Sequence, residues 1–174
     1  MPRKNILLLL KDGDRRTIGR AGRVAAMVAK DPSLFPALIA GLWSENLVVR
    51  MRAADASEKV TRENPSLLQP FKKELLGLMA ETSQQELRWH LAAMVPRLSL
   101  NAQERQVATS LLKGYLDDRS SIVKTFALQG LADFARDDPS MRPTVTEMLR
   151  EAARNGTPAM KARSRKLLLQ LVRI

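Results

Sequence analysis

One phrase in this chain constrains its fold more than any other. Asp31-Pro32-Ser33-Leu34-Phe35-Pro36 returns as Asn64-Pro65-Ser66-Leu67-Leu68-Gln69-Pro70 and again as Asp138-Pro139-Ser140-Met141-Arg142-Pro143. An Asp or Asn side chain accepts hydrogen bonds from the free N–H groups of a starting helix, and a proline in the first turn sacrifices no bond there. The copies lie 33 and then 74 residues apart, and 74 is two periods of 37; the missing middle copy falls at Leu100-Asn101-Ala102. A helix-opening phrase at this period predicts an array of helix pairs, in which each pair buries its apolar face only against its neighbours.

The hydrophobic pattern fits that frame. Five units follow, over residues 3–30, 31–63, 64–99, 100–137 and 138–174, read as a single repeat domain spanning 1–174. Each has a first helix, a polar turn and a second helix. The first helices carry Ile6–Leu10; Leu34, Leu38, Ile39 and Leu42; Phe71, Leu75, Leu78 and Met79; Val107, Leu111, Leu112, Tyr115 and Leu116; and Val145, Met148 and Leu149. The turns stand at Asp12-Gly13-Asp14, Ser44-Glu45-Asn46, Thr82-Ser83-Gln84, Asp117–Ser120 and Asn155-Gly156-Thr157. In the second unit Val49, Ala53, Ala56 and Val60 are spaced 4, 3 and 4 residues apart, one apolar stripe at helical period. Nothing alternates with period two, so the expected class is all-α. Gly130 sits inside an otherwise strong helix, where glycine costs about 1 kcal/mol relative to alanine; a close helix crossing is the expected reason.

With these residues in view, the pattern resembles HEAT repeats. An early proline, a small polar turn and a second helix opening on a hydrophobic–basic pair are all present, the pair being Val49-Arg50, Leu87-Arg88, Val123-Lys124 and Met160-Lys161. The first unit departs: its second helix is short, and either Arg16 or Arg20 could hold its basic position. The resemblance implies a right-handed αα-superhelix, an armadillo-like solenoid. It also implies that Arg50, Arg88, Lys124 and Lys161 form a structural ladder to acidic groups of neighbouring turns. Second helices in such stacks line the concave surface. Two residues past the basic pair this gives the column Arg52, His90, Phe126 and Arg163, with Lys59, Arg97, Asp133 and Lys166 further along and Arg20 and Arg23 from the first unit. Together they make a mostly basic candidate binding face.

Charge then bears on function. The net charge is +11, of which residues 1–30 and 154–174 hold +6 each while 31–153 hold −1. Basic ends suit phosphate, an acidic partner or an anionic surface. There is no cysteine, which excludes disulfides and thiolate chemistry. The N-terminal apolar run, Ile6–Leu10, is too short for a membrane span or a signal-peptide core, so the expectation is a cytoplasmic protein without membrane contact. His90 is the only histidine, and no nucleophile, metal cluster or cofactor motif stands out. The leading expectation is therefore a non-enzymatic scaffold, with no catalytic residues and no cofactor, that binds a protein partner, an acidic one among the candidates. Nucleic-acid binding through the basic face and ends is the alternative. A repair enzyme similar to HEAT-like DNA glycosylases would need Asp133 or Asp55 to act beside Trp89 or Phe126.

Overall fold

The computed structural model describes residues 5–12 and 16–173. Arg3, Lys4, the turn residues Gly13 and Asp14, and Ile174 lie outside the described residues. Among the described residues all regular structure is helical, with nine α-helices and short 3-10 turns between them. The chain divides into two compact units, Met1–Lys72 and Lys73–Ile174.

The first unit holds α1 (Ala21–Lys30), α2 (Phe35–Ala40) and α3 (Leu47–Glu63), with α3 packed against both others. Val24, Val28, Phe35, Leu38, Ile39, Leu42, Val49, Ala53 and Ala56 make its core. A Cβ at Gly41 would lie 2.8 Å from the Ala53 Cβ, so the end of α2 meets α3 at a distance only glycine allows. Two expected helices are shorter than the pattern suggested. Ile6–Leu10 yields only a 3-10 turn at Leu8–Leu10, with Ile6 and Leu10 buried; five residues form too few hydrogen bonds to offset helix nucleation. The helix through Leu34–Leu42 is α-helical only from Phe35 to Ala40 and is extended at both ends by 3-10 turns.

The second unit holds α4 (Lys72–Glu81), α5 (Gln85–Met94), α6 (Ala102–Tyr115), α7 (Ser121–Asp137), α8 (Arg142–Asn155) and α9 (Pro158–Val172), the boundary between units falling in the first turn of α4. α7 is the central helix: it packs on α6 and α8 and lies between α5 and α9. A Cβ at Gly130 would sit 3.0 Å from the Ala92 carbonyl oxygen and from a Leu112 methyl, so α7 approaches α5 backbone to backbone at this residue. The Tyr115 hydroxyl, buried, donates 2.6 Å to the Met79 carbonyl and ties α6 to the end of α4. α5 stops at Met94 and passes into a 3-10 turn over Val95–Arg97, where Pro96 offers no N–H and its ring crowds the preceding turn.

The recurring phrase opens 3-10 turns rather than α-helices directly, at Pro32–Leu34, Pro65–Phe71 and Pro139–Met141. Asp31 accepts from the Ser33 N–H (3.2 Å) and Asp138 from the Ser140 N–H (3.0 Å). Asn64 departs from the expectation: it caps no backbone N–H and instead takes the Ser66 hydroxyl at 2.6 Å. At the middle position Asn101 and Glu104 form a reciprocal capping box at the start of α6.

Candidate functional site

Two of the four basic residues opening second helices share one geometry. Arg50 Nε donates to the Ser44 carbonyl and Arg88 Nε to the Thr82 carbonyl (2.8 Å), in each case six residues back, across the turn that precedes the helix. Arg88 also pairs with Asp118, ahead of α7, through Nη1. Asp118 is a junction. Burial opposes its charge, but the Ser120 N–H at 2.7 Å, the Arg88 hydrogen bond and the nearby Lys124 outweigh that and hold its carboxyl below the usual range. Lys161 is half-buried and forms no ion pair among the described residues.

The predicted binding column divides sharply. Arg52 is not on an open face: it is 0% exposed. Its guanidinium donates to the carbonyls of Leu10 (2.8 Å), Asp12 and Thr17 (3.2 Å) and to the Thr17 hydroxyl (3.3 Å), anchoring the segment before α1. The spacing rule fails here because α3 has no open side over this stretch; every residue from Met51 to Glu58 is buried. His90 is likewise buried, its Nδ1 2.6 Å from the Glu86 carbonyl one turn back. The Nδ1 contact to its own helix accounts for one ring nitrogen only, and Trp89 stacks on the His90 ring at 3.4 Å. Trp89, not His90, is the partly exposed aromatic of α5. Lys59 is half-buried and bound to Asp55 at 2.7 Å. Arg20 and Arg23 are exposed, Arg20 standing 3.6 Å from an Asp12 oxygen. Lys166 is exposed on α9.

The remaining candidates come together on α5, α7 and α9 of the second unit. The Phe126 ring lies between Trp89, 5.1 Å away centroid to centroid, and the Arg163 guanidinium, 5.6 Å from the ring centroid. Arg163 Nη1 donates to Gln129 Oε1 (2.7 Å), and Gln129 Nε2 donates to Asp133 Oδ1 (2.9 Å). Arg136 closes the chain by pairing with Asp133, and the charge of Arg97 acts on the same carboxylate. Burial dominates at Asp133 and raises its pKa, although Gln129, Arg136 and Arg97 all pull the other way. Trp89, Phe126, Arg163, Gln129 and Asp133 are each half-buried. The strip runs from two aromatic rings through a guanidinium and an amide to a carboxylate, with one hydrogen bond fixing each polar member on the next.

Sequence reasoning missed Gln129 and Arg136. Their signal was available: Phe126, Gln129, Asp133 and Arg136 are spaced 3, 4 and 3 along one helix face. The displacement of His90 by Trp89 had no such signal.

No protein-family model matches this chain, and no curated protein sequence proved similar to it. Among the described residues no group of three His, Asp or Glu side chains could hold a metal ion, and no helix is long and apolar enough to cross a membrane.

Proposed function

We propose that the chain is a non-enzymatic binding module, a HEAT-like αα-superhelix that takes a segment of a partner protein on the strip across α5, α7 and α9. The observation that carries this reading is Phe126 held between Trp89 and Arg163. Tryptophan and arginine are the residue types over-represented where binding energy concentrates in protein interfaces, and rings already fixed by packing lose little entropy on contact. Asp133 fits the same reading, since its oxygen is already engaged by Gln129 and Arg136.

Nucleic-acid binding is the second reading, and one observation favours it. Lys161, Arg163, Arg165, Lys166 and Arg173 lie along α9, with no acidic residue between 158 and 173. The burial of Arg52 and His90 and the pairing of Lys59 with Asp55 remove three members of the basic column that motivated it.

A photo-crosslinking benzoyl-phenylalanine at position 126 separates the two. The expected product is a discrete adduct that resists nuclease and disappears on protease treatment, weakened by Arg163→Ala and absent when the probe stands at exposed Arg119. An adduct destroyed by nuclease, or equal labelling from both positions, would refute the protein-partner reading.

A further inference from the structure

The outer side of α9 combines exposed apolar and cationic side chains. Ser164, Leu167 and Leu171 face inward and are buried, where the helix packs on α7 and α8. On the opposite side Leu169 is 62% and Val172 83% exposed, and they are flanked by exposed Arg165, Lys166 and Arg173. Residues 165, 169 and 172 are spaced 4 and 3, so they line one ridge, and 166 and 173 lie beside it. Arginines of the neighbouring helices have carboxylates at hand: on α8 Arg150 lies 3.6 Å from Glu147 and Arg154 3.0 Å from Glu151, and on α7 Arg136 pairs with Asp133. Arg165, Lys166 and Arg173 form no ion pair among the described residues.

We infer that this ridge is a docking site for an acidic amphipathic helix of a partner protein, separate from the strip on α5, α7 and α9. Two apolar side chains at helical spacing can receive an i, i+3 or i, i+4 apolar pair from a partner helix, in the way helices seat in apolar grooves. Asp or Glu residues beside that pair then meet the three cations, which gives the contact its charge complementarity and speeds encounter. The ridge from Arg165 to Arg173 is about 12 Å long at 1.5 Å per residue, two turns of a partner helix. Other occupants fit less well. A nucleic acid backbone would neutralise the cations but leave Leu169 and Val172 facing water. An anionic bilayer calls for a broad apolar face, and the broad face of α9 is already packed inward. A second α9 laid against the first would set like charges together.

The test is a display library of short helices with randomised surface positions, selected on the full chain. Enriched helices are expected to carry Asp or Glu on both sides of an apolar i, i+3 or i, i+4 pair. Their affinity should fall about tenfold or more with Arg165→Glu/Lys166→Glu/Arg173→Glu. It should fall comparably with Leu169→Ser/Val172→Ser, which leaves the charge untouched. Phe126→Ala should leave it unchanged, so that failure here and failure of the strip on α5, α7 and α9 are told apart. The inference is overturned by a selection that yields no binders or binders without acidic bias. Binding that survives either set of substitutions also overturns it, as does displacement of the peptides by a duplex of about 20 base pairs whose own binding falls steeply with salt and ignores Leu169 and Val172.

Discussion

Arg52→Met removes a buried guanidinium while keeping most of the side-chain volume, and the expected loss is large and confined to the first unit. The carbonyls of Leu10, Asp12 and Thr17 and the Thr17 hydroxyl all accept from Arg52. Replacing a buried charge can be neutral when its partners are replaced with it, but main-chain carbonyls cannot be mutated away. The Leu10 acceptor is fully buried, and stranding it costs about 1–3 kcal/mol. The Asp12 and Thr17 acceptors are only part-buried and can take up water, so each adds about 0.5 kcal/mol. The expected total is about 2–4 kcal/mol. Gly19 provides a second handle. Its φ is +49°, and a Cβ there would lie 2.7 Å from the Arg52 Cζ. Gly19→Ala should therefore cost about 1–2 kcal/mol from the left-handed backbone alone, with a further clash against the guanidinium. That clash is relieved in the Arg52→Met background, so the two substitutions should cost less together than their sum. Urea unfolding in a Trp89→Phe background, where Trp43 reports on the first unit, measures both. A change below about 0.5 kcal/mol for Arg52→Met, no larger than that of exposed Arg23→Met, would refute the assignment of Arg52 as an internal anchor.

The remaining stability predictions rest on the second unit. Gly130→Ala should destabilise by about 1–2 kcal/mol although alanine is the better helix former by about 1 kcal/mol, because the new methyl meets the Ala92 carbonyl and Leu112 at 3.0 Å; a rise in the denaturation midpoint would contradict the close crossing. Asp118→Asn should cost about 1–2 kcal/mol at neutral pH through the lost charge toward Arg88 and the Ser120 N–H. The folded carboxyl titrates below its unfolded value. Its contribution is therefore complete above about pH 4 and is lost as pH falls through the folded pKa. Wild type and variant should converge in acid, and a gap that stays constant with pH would count against the ionic origin. Asp133 has the opposite sign: its raised pKa means that ionisation opposes folding at neutral pH, so Asp133→Asn should cost less than Asp118→Asn in the same melts.

Much of the local structure was legible in the residues. The absence of period-two alternation and the apolar stripes at 3.6 predicted helices throughout, and the Asp-Pro-Ser phrase marked where Asp31 and Asp138 cap. Gly130 announced a close crossing that the backbone of α7 makes against α5. The strip was legible in part. Phe126, Asp133 and Arg163 were on the predicted face and do come together, since spacing along a helix fixes which side chains point the same way. Lys59, on the same list, bonds within its own helix to Asp55 instead.

What the sequence determined by itself was therefore short-range: helix type, caps, turns and the shared face of residues three or four apart, all set by backbone geometry within a turn or two. Only the tertiary structure decided which polar side chains that geometry leaves in water. Arg52 and Arg163 occupy equivalent places in the repeat pattern, yet one is sealed among three carbonyls and the other lies across an aromatic ring at the surface. The difference comes from segments more than thirty residues away: the stretch before α1 closes over Arg52, whereas Phe126 and Gln129 of α7 leave Arg163 half-buried. Burial is a property of the neighbours, and a helical period carries no record of them.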